Sequence, residues 1–284
     1  MTDKELLALK LKATECRLSV LRMLRASHHG HIGGAFSAMD VVTALYFYKM
    51  NVDPKNPLWE DRDRFILSAG HKCLCQYAAL AEKGYFEKEV LDTYGSLDSR
   101  IPGHPNMHEL PGVEANTGAL GHGLSIAAGM CMGLRLNESP ANVYVVTGDG
   151  ELPEGSNWEA AAAAAHHKLS NLTAFVDNNG LQISGKVEDV MNMTPIAEKF
   201  RAFGWAVEEI DGNDMAQIVD VLDRLPFAAD KPSCVVMHTV KSKGLSFAEG
   251  DVAYHYWKTT DELMDRAEKE LNELAEQQRK ELEA

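Results

Sequence analysis

Two hydrophobic rhythms alternate along the chain. Short apolar runs rich in β-branched residues predict strands buried on both faces, as in a parallel sheet. They are residues 143–146 (VYVV), 172–176 (LTAFV), 205–210 and 233–240, with a further short strand at 64–67. Between them, apolar residues recur at helical spacing. Residues 3–26 carry Leu6, Leu9, Ala13, Leu18, Leu21 and Leu24 among charges. Further helices are predicted at 37–50 with Ser37 as cap, 72–83, 124–136, 158–165 around an alanine run, 194–203 with Pro195 in first position, and 213–225. The tail, 259–284, opens with a capping box at Thr259-Thr260-Asp261-Glu262 and carries the stripe Leu263, Ala267, Leu271 and Leu274. Strands alternating with helices predict an α/β fold: a doubly wound, mainly parallel sheet with helices on both faces, in one domain over 1–284. The tail is expected to be a surface or partner-facing helix. Helix 124–136, apolar nearly all round, is expected to be buried in the core or in a subunit contact.

Composition narrows the function classes. Hydrophobic residues make up 45% of the chain, enough for a core, and no apolar stretch approaches a membrane span. The formal charge of −14 argues against a nucleic-acid partner, which needs a basic face. It leaves a diphosphate ligand open, because a metal and a few local cations set the local field. The five cysteines are odd in number, form no CxxC and follow no secretory signal, so reduced thiols and a cytoplasmic location are expected. Cys73 and Cys75 point apart on a helix, against a metal site there.

The candidate chemistry sits at strand ends and in glycine-rich loops. The run at 143–146 leads to Gly148-Asp149-Gly150, and the run at 172–176 to Asp177-Asn178-Asn179-Gly180. In a parallel pair both tips lie at the edge where open α/β sheets bind ligands. Each motif alone is an ordinary turn. Together, one carboxylate, one amide oxygen and a nearby backbone carbonyl form an all-oxygen set suited to Mg²⁺. Ser27 to Gly34 holds three histidines and three glycines, and reads as a loop that contacts a ligand through His31 or binds metal. His71 follows the tip of the 64–67 strand, and residues 95–112 form a long irregular loop with His104 and His108.

Six motifs in order carry a resemblance: GHIGG with His31, SAGHK with His71, RIPGHP with His104, TGALGHG, GDGELPEG followed by NN, and Lys241 followed by His255. The chain resembles the N-terminal, diphosphate-binding part of transketolase from about residue 5 to 260. The resemblance implies the thiamine diphosphate-binding fold, with thiamine diphosphate held through Mg²⁺, or Ca²⁺ or Mn²⁺ in its place. It implies Asp149, Asn179 and the Leu181 carbonyl as metal ligands, and Gly150 and His71 as diphosphate contacts. Gly118, Ala119 and Leu120 would approach the thiazolium, and Lys241 would lie near the cofactor. Glu154 would stabilise a subunit contact beside it. His31, His104 and His255 would line the substrate channel and polarise the sugar's oxygens.

The implied activity is transfer of a two-carbon ketol unit from a ketose phosphate to an aldose, as in the pentose phosphate pathway. Three positions depart from the family pattern: Ala119 stands where proline is usual, His122 where glutamine is usual, and His28 is added. The resemblance also implies a pyrimidine-binding domain with an activating glutamate, which these 284 residues do not match, so either a fragment or one subunit of a split enzyme is expected. The capped C-terminal helix favours the second, with a partner subunit carrying that domain in an α₂β₂ assembly. The alternatives are a 2-oxo acid dehydrogenase alpha subunit, a deoxyxylulose phosphate synthase, or a non-catalytic cofactor-binding subunit.

Overall fold

A computed structural model describes residues 1–284. The strands are β1 (His29–Gly30), β2 (Arg64–Leu67), β3 (Val143–Gly148), β4 (Leu172–Asn178), β5 (Ala206–Asp211), β6 (Ser233–His238) and β7 (Trp257–Lys258). The α-helices are α1 (Asp3–Ser27), α2 (Ile32–Ser37), α3 (Met39–Ala44), α4 (Cys73–Lys83), α5 (Gly123–Leu136), α6 (Gly155–His166), α7 (Val187–Val190), α8 (Ile196–Ala202), α9 (Met215–Asp223) and α10 (Asp261–Glu283).

β2 to β6 form one parallel sheet in the order β2-β3-β4-β6-β5. The strand period of two divides it cleanly between two layers. Tyr144, Val146, Phe175, Val235 and Met237 face the layer of α1, α3, α4 and α9. Val143, Val145, Ala174, Val176 and Val236 face α5, α6 and α8. The first cluster holds 51 buried residues and the second 21, so the structural mass lies on the α1 side. The smaller layer is closed largely by α5 and α6, which pack small residues (Ala127, Ala128, Ala160, Ala161, Ala164) on the strands. The predicted doubly wound sheet is the one observed.

Several local expectations need correcting. Ser37 does not cap a helix. It ends α2, and its hydroxyl donates to Asp177 at 2.6 Å, with the Gly34 carbonyl 3.1 Å away. The helical region therefore begins inside the stretch read as loop. Gly33 and Gly34 are glycines because lysine side chains cross them closely, not because the backbone turns there. Beyond α3 the chain widens into one π-turn at Leu45–Lys49. The tail's cap falls one residue later than predicted: Thr260 accepts from the Leu263 amide, so no Thr259–Glu262 box forms. Pro195 is the residue before α8 rather than its first, a shift within the usual fraying of helix ends.

α10 lies along α1 with Met264, Ala267, Leu271 and Ala275 buried, whereas Leu274 is 39% exposed. Arg25 ties the two helices through Asp265 and Glu268. α5 buries one face only, and Ile126, Met130, Met132 and Leu134 are half-buried. All five cysteines are free and buried. No helix is long and apolar enough to cross a membrane.

Candidate active site

β3 and β4 run in register, with Gly148 opposite Asp177. Asp149 and Asn179 therefore emerge side by side at the same edge of the sheet. Asp149 is 2% exposed. Its two carboxylate oxygens accept from the Gly150 amide at 2.7 Å and the Gly180 amide at 2.6 Å. No lysine or arginine pairs with it. Burial, reinforced by the nearby Asp177 carboxylate, pushes Asp149 up to about 6. The Asn179 Oδ1 accepts from the Leu181 amide at 3.1 Å, and its Nδ2 donates to Asp177 at 3.2 Å. The Leu181 carbonyl turns toward the same space and accepts from Lys241 Nζ at 3.3 Å.

These groups open onto a cavity of about 440 Å³, the size of a small-cofactor site. His31, His71, His104, Gly118, Leu120, Asp149, Gly150, Asn179, Leu181, Lys241 and His255 all line it. Ala119 and Glu154 do not; both are exposed beside it, with the Glu154 side chain packed over Gly121.

Three imidazoles form a triangle, with ring centroids 5.2 Å (His31–His71), 5.5 Å (His31–His255) and 5.4 Å (His71–His255) apart. The small antiparallel ribbon of β1 and β7 sets two of its corners by tying the His29–Gly30 segment to the chain after His255. His104 reaches the same wall over Gly118, whose φ of +144° and lack of a Cβ are both required: a Cβ would stand 2.8 Å from the imidazole. Lys241 Nζ lies 2.9 Å from His255 Nδ1.

Burial disfavours charge on the three rings of the triangle. His31 falls to about 4, mainly by burial and then by His104; His255 falls to about 3, by burial and then by Lys241. Burial and Lys72 drive His71 lower still. Lys241 is itself brought down to about 8 by burial and then by Lys72. At neutral pH the triangle thus presents three neutral imidazoles. Each has one nitrogen that donates and one that accepts, a set suited to hydroxyls and carbonyls.

Of the lining residues that escaped the sequence reading, three have buried polar groups at the cavity. Glu151, 2% exposed, accepts from the Gly121 and Gly148 amides and the Ser68 hydroxyl. It stands two residues after Asp149, so its place in the same motif was a usable signal. Gln182 packs over Gly150, and its buried Nε2 has no partner. Lys72 pairs with Asp177 at 2.6 Å. A lysine at a helix start reads as surface, so nothing local marks it.

The profile of the transketolase thiamine diphosphate binding domain matches residues 10–272. The chain belongs to the transketolase family. It is 41% identical over 273 residues to one subunit of the apulose-4-phosphate transketolase of Phocaeicola vulgatus, covering 96% of this chain and 97% of that one. It is 43% identical over 242 residues to 6-deoxy-6-sulfo-D-fructose transketolase subunit SqwG of a Clostridium species, covering 85% and 88%. The crystal structure of Campylobacter jejuni transketolase superposes with a TM-score of 0.87 at 30% identity, covering 93% of this chain but 42% of that longer one. With the family comes the enzyme class: a transferase acting as one subunit of a larger assembly. The dehydrogenase and synthase alternatives are not favoured.

Proposed function

We propose that this chain is the diphosphate-binding subunit of a split transketolase, folded as one domain over 1–284. It would act with a second subunit that carries the pyrimidine-binding domain and the activating glutamate, in an α₂β₂ assembly in the cytoplasm. The observation that carries the reading is the single cavity lined by Asp149, Asn179 and Leu181 together with four histidines.

The donor set fits the implied metal. It offers a carboxylate, an amide oxygen and a carbonyl, all hard oxygen donors. Asp149 is also a buried carboxylate with backbone donors but no cation, which is the deficit a bound Mg²⁺, Ca²⁺ or Mn²⁺ would fill. Bound thiamine diphosphate supplies the electron sink that makes cleavage of a carbon–carbon bond next to a carbonyl accessible. Asp149, Asn179 and the Leu181 carbonyl would hold the metal, and Gly150 and His71 would contact the diphosphate. Gly118, Ala119 and Leu120 would contact the cofactor's ring, and Glu154 would face the partner. His31 and His255, neutral at the working pH, and His104 beside them orient the sugar's hydroxyls and take or return a proton at its oxygens. Lys241 fixes His255 through its Nδ1, leaving Nε2 free toward the cavity.

The relatives of similar length are named for apulose 4-phosphate and 6-deoxy-6-sulfo-D-fructose. We therefore propose a ketose donor of that breadth, not a restriction to the pentose phosphates. The test is ketol transfer by this chain purified alone and with its co-encoded partner subunit, in Mg²⁺. Activity is expected only from the pair, and loss is expected in the pair carrying Asp149→Ala. Full turnover by the chain alone would refute the split. Survival of transfer after Asp149→Ala would favour a non-catalytic role for the clamp.

A further inference from the structure

Lys72 is 3% exposed, yet its side chain ends at the wall of the cavity. It runs through a slot between two glycines. A Cβ at Gly34 would stand 2.9 Å from both its Cγ and its Cε, and one at Gly148 would stand 3.3 Å from its Nζ. Neither glycine has a positive φ, so the backbone does not demand them; the lysine's path does. At the end of that path Nζ donates to Asp177 Oδ2 at 2.6 Å and to nothing else. An ammonium has three N–H donors. Two therefore remain unspent on a buried cation, a costly arrangement unless something else takes them. Asp177 needs less from Lys72 than the pairing suggests. Its oxygens already accept from the Ser37 and Thr239 hydroxyls and the Asn179 amide. Those contacts hold the carboxylate as a fixed anchor that aims Nζ at the cavity.

We propose that Lys72 binds the diphosphate of the cofactor directly, as a second, protein-supplied cation beside the metal, with Asp177 as its positioning residue and Gly34 as the gap that admits it. This rests on the thiamine diphosphate reading of the cavity.

The test is calorimetric titration of the two-subunit complex at fixed Mg²⁺ with thiamine diphosphate, and separately with unphosphorylated thiamine. Lys72→Met alone would strand the buried Asp177 carboxylate and risks unfolding. The informative comparison is therefore Asp177→Asn against Asp177→Asn with Lys72→Met, both checked for cooperative thermal unfolding. The double variant should bind thiamine diphosphate at least tenfold more weakly than Asp177→Asn, with thiamine affinity the same in both. Gly34→Ala, which crowds Lys72, should weaken diphosphate binding in the wild-type background and have no further effect where Lys72 is already methionine. Equal diphosphate affinity of the single and double variants would overturn the proposal and leave Lys72 as a counter-ion for Asp177. A wild-type complex that fails to bind thiamine diphosphate would overturn the cofactor reading along with it.

Discussion

Lowering the pH should destabilise the metal-free chain through the histidine triangle. The three rings have folded-state values well below the ordinary 6.5, at about 4 for His31, about 3 for His255 and lower still for His71. A group whose folded value is depressed in this direction stays neutral in the native state while the unfolded chain takes up its proton. Its contribution to stability is complete above about pH 7 and drains away as pH falls through 6.5 toward 4. At pH 5 an unfolded histidine is almost fully charged and these folded ones are almost fully neutral. Unfolding would then bind nearly three protons at the three sites. His31 and His255 are only part-buried, so water screens them, and the expectation is about two. Asp149 works in the opposite sense between pH 6 and 4, because its raised value lets the folded chain bind a proton that the unfolded chain does not. The assay must therefore be a difference. Urea unfolding in EDTA at pH 7, 6 and 5 is compared between the wild type and a variant with His31→Gln, His71→Gln and His255→Gln. The wild type should take up about two more protons on unfolding at pH 5 than the variant, and the variant should lose less stability between pH 7 and 5. Identical pH slopes would show that the rings are hydrated enough to titrate normally, and the neutral-imidazole account of the cavity would fail.

Other perturbations test the scaffold and the clamp. Gly33→Ala would place a Cβ 2.8 Å from the Tyr254 carbonyl and from Lys241 Cε. The backbone contact cannot yield cheaply, so a loss of about 1–3 kcal/mol in urea unfolding is expected, with the His255 loop more open to proteolysis. Arg17 makes two hydrogen bonds of 2.8 Å to the buried Asp40. Arg17→Met should cost about 3–5 kcal/mol by stranding that carboxylate, whereas combining it with Asp40→Leu should recover most of the loss. Mg²⁺ with thiamine diphosphate should raise the melting temperature of the two-subunit complex, and Asp149→Asn should abolish that rise without lowering the melting temperature of the ligand-free complex. A retained rise would place the metal elsewhere.

How much of this was legible in the sequence depends on the kind of constraint involved. The parallel sheet was readable because β3, β4 and β6 are apolar on both faces, and only a strand covered on both sides has that composition. The meeting of Asp149 and Asn179 at one sheet edge was readable because each follows the end of such a strand directly. The β1–β7 ribbon was not. Two pairs of residues from opposite ends of the chain carry no periodicity, and only their pairing, His29 with Lys258 and Gly30 with Trp257, makes them strands.

Gly33 and Gly34 misled for a different reason. Glycine is ambiguous between a flexible backbone and a close approach, and which applies depends on what crosses it. Here Lys241 and Lys72 cross it, from positions far along the chain. The same lysines explain why the cavity's electrostatics could not be read in advance. A lysine's ordinary place is the surface, and a buried one is recognised by its partner and its path, neither of which is local. Lys72 and Lys241 enter a wall that also holds Asp149, Glu151 and Asp177. Lys72 pairs with Asp177, Glu151 is held by the Gly121 and Gly148 amides and the Ser68 hydroxyl, and Asp149 has two backbone amides and no cation. A divalent ion bound there would supply the cation that Asp149 lacks. The net negative charge of the whole chain is therefore no obstacle to binding an anion: at the strand tips it is the arrangement of five groups, not the sum over 284 residues, that sets the field.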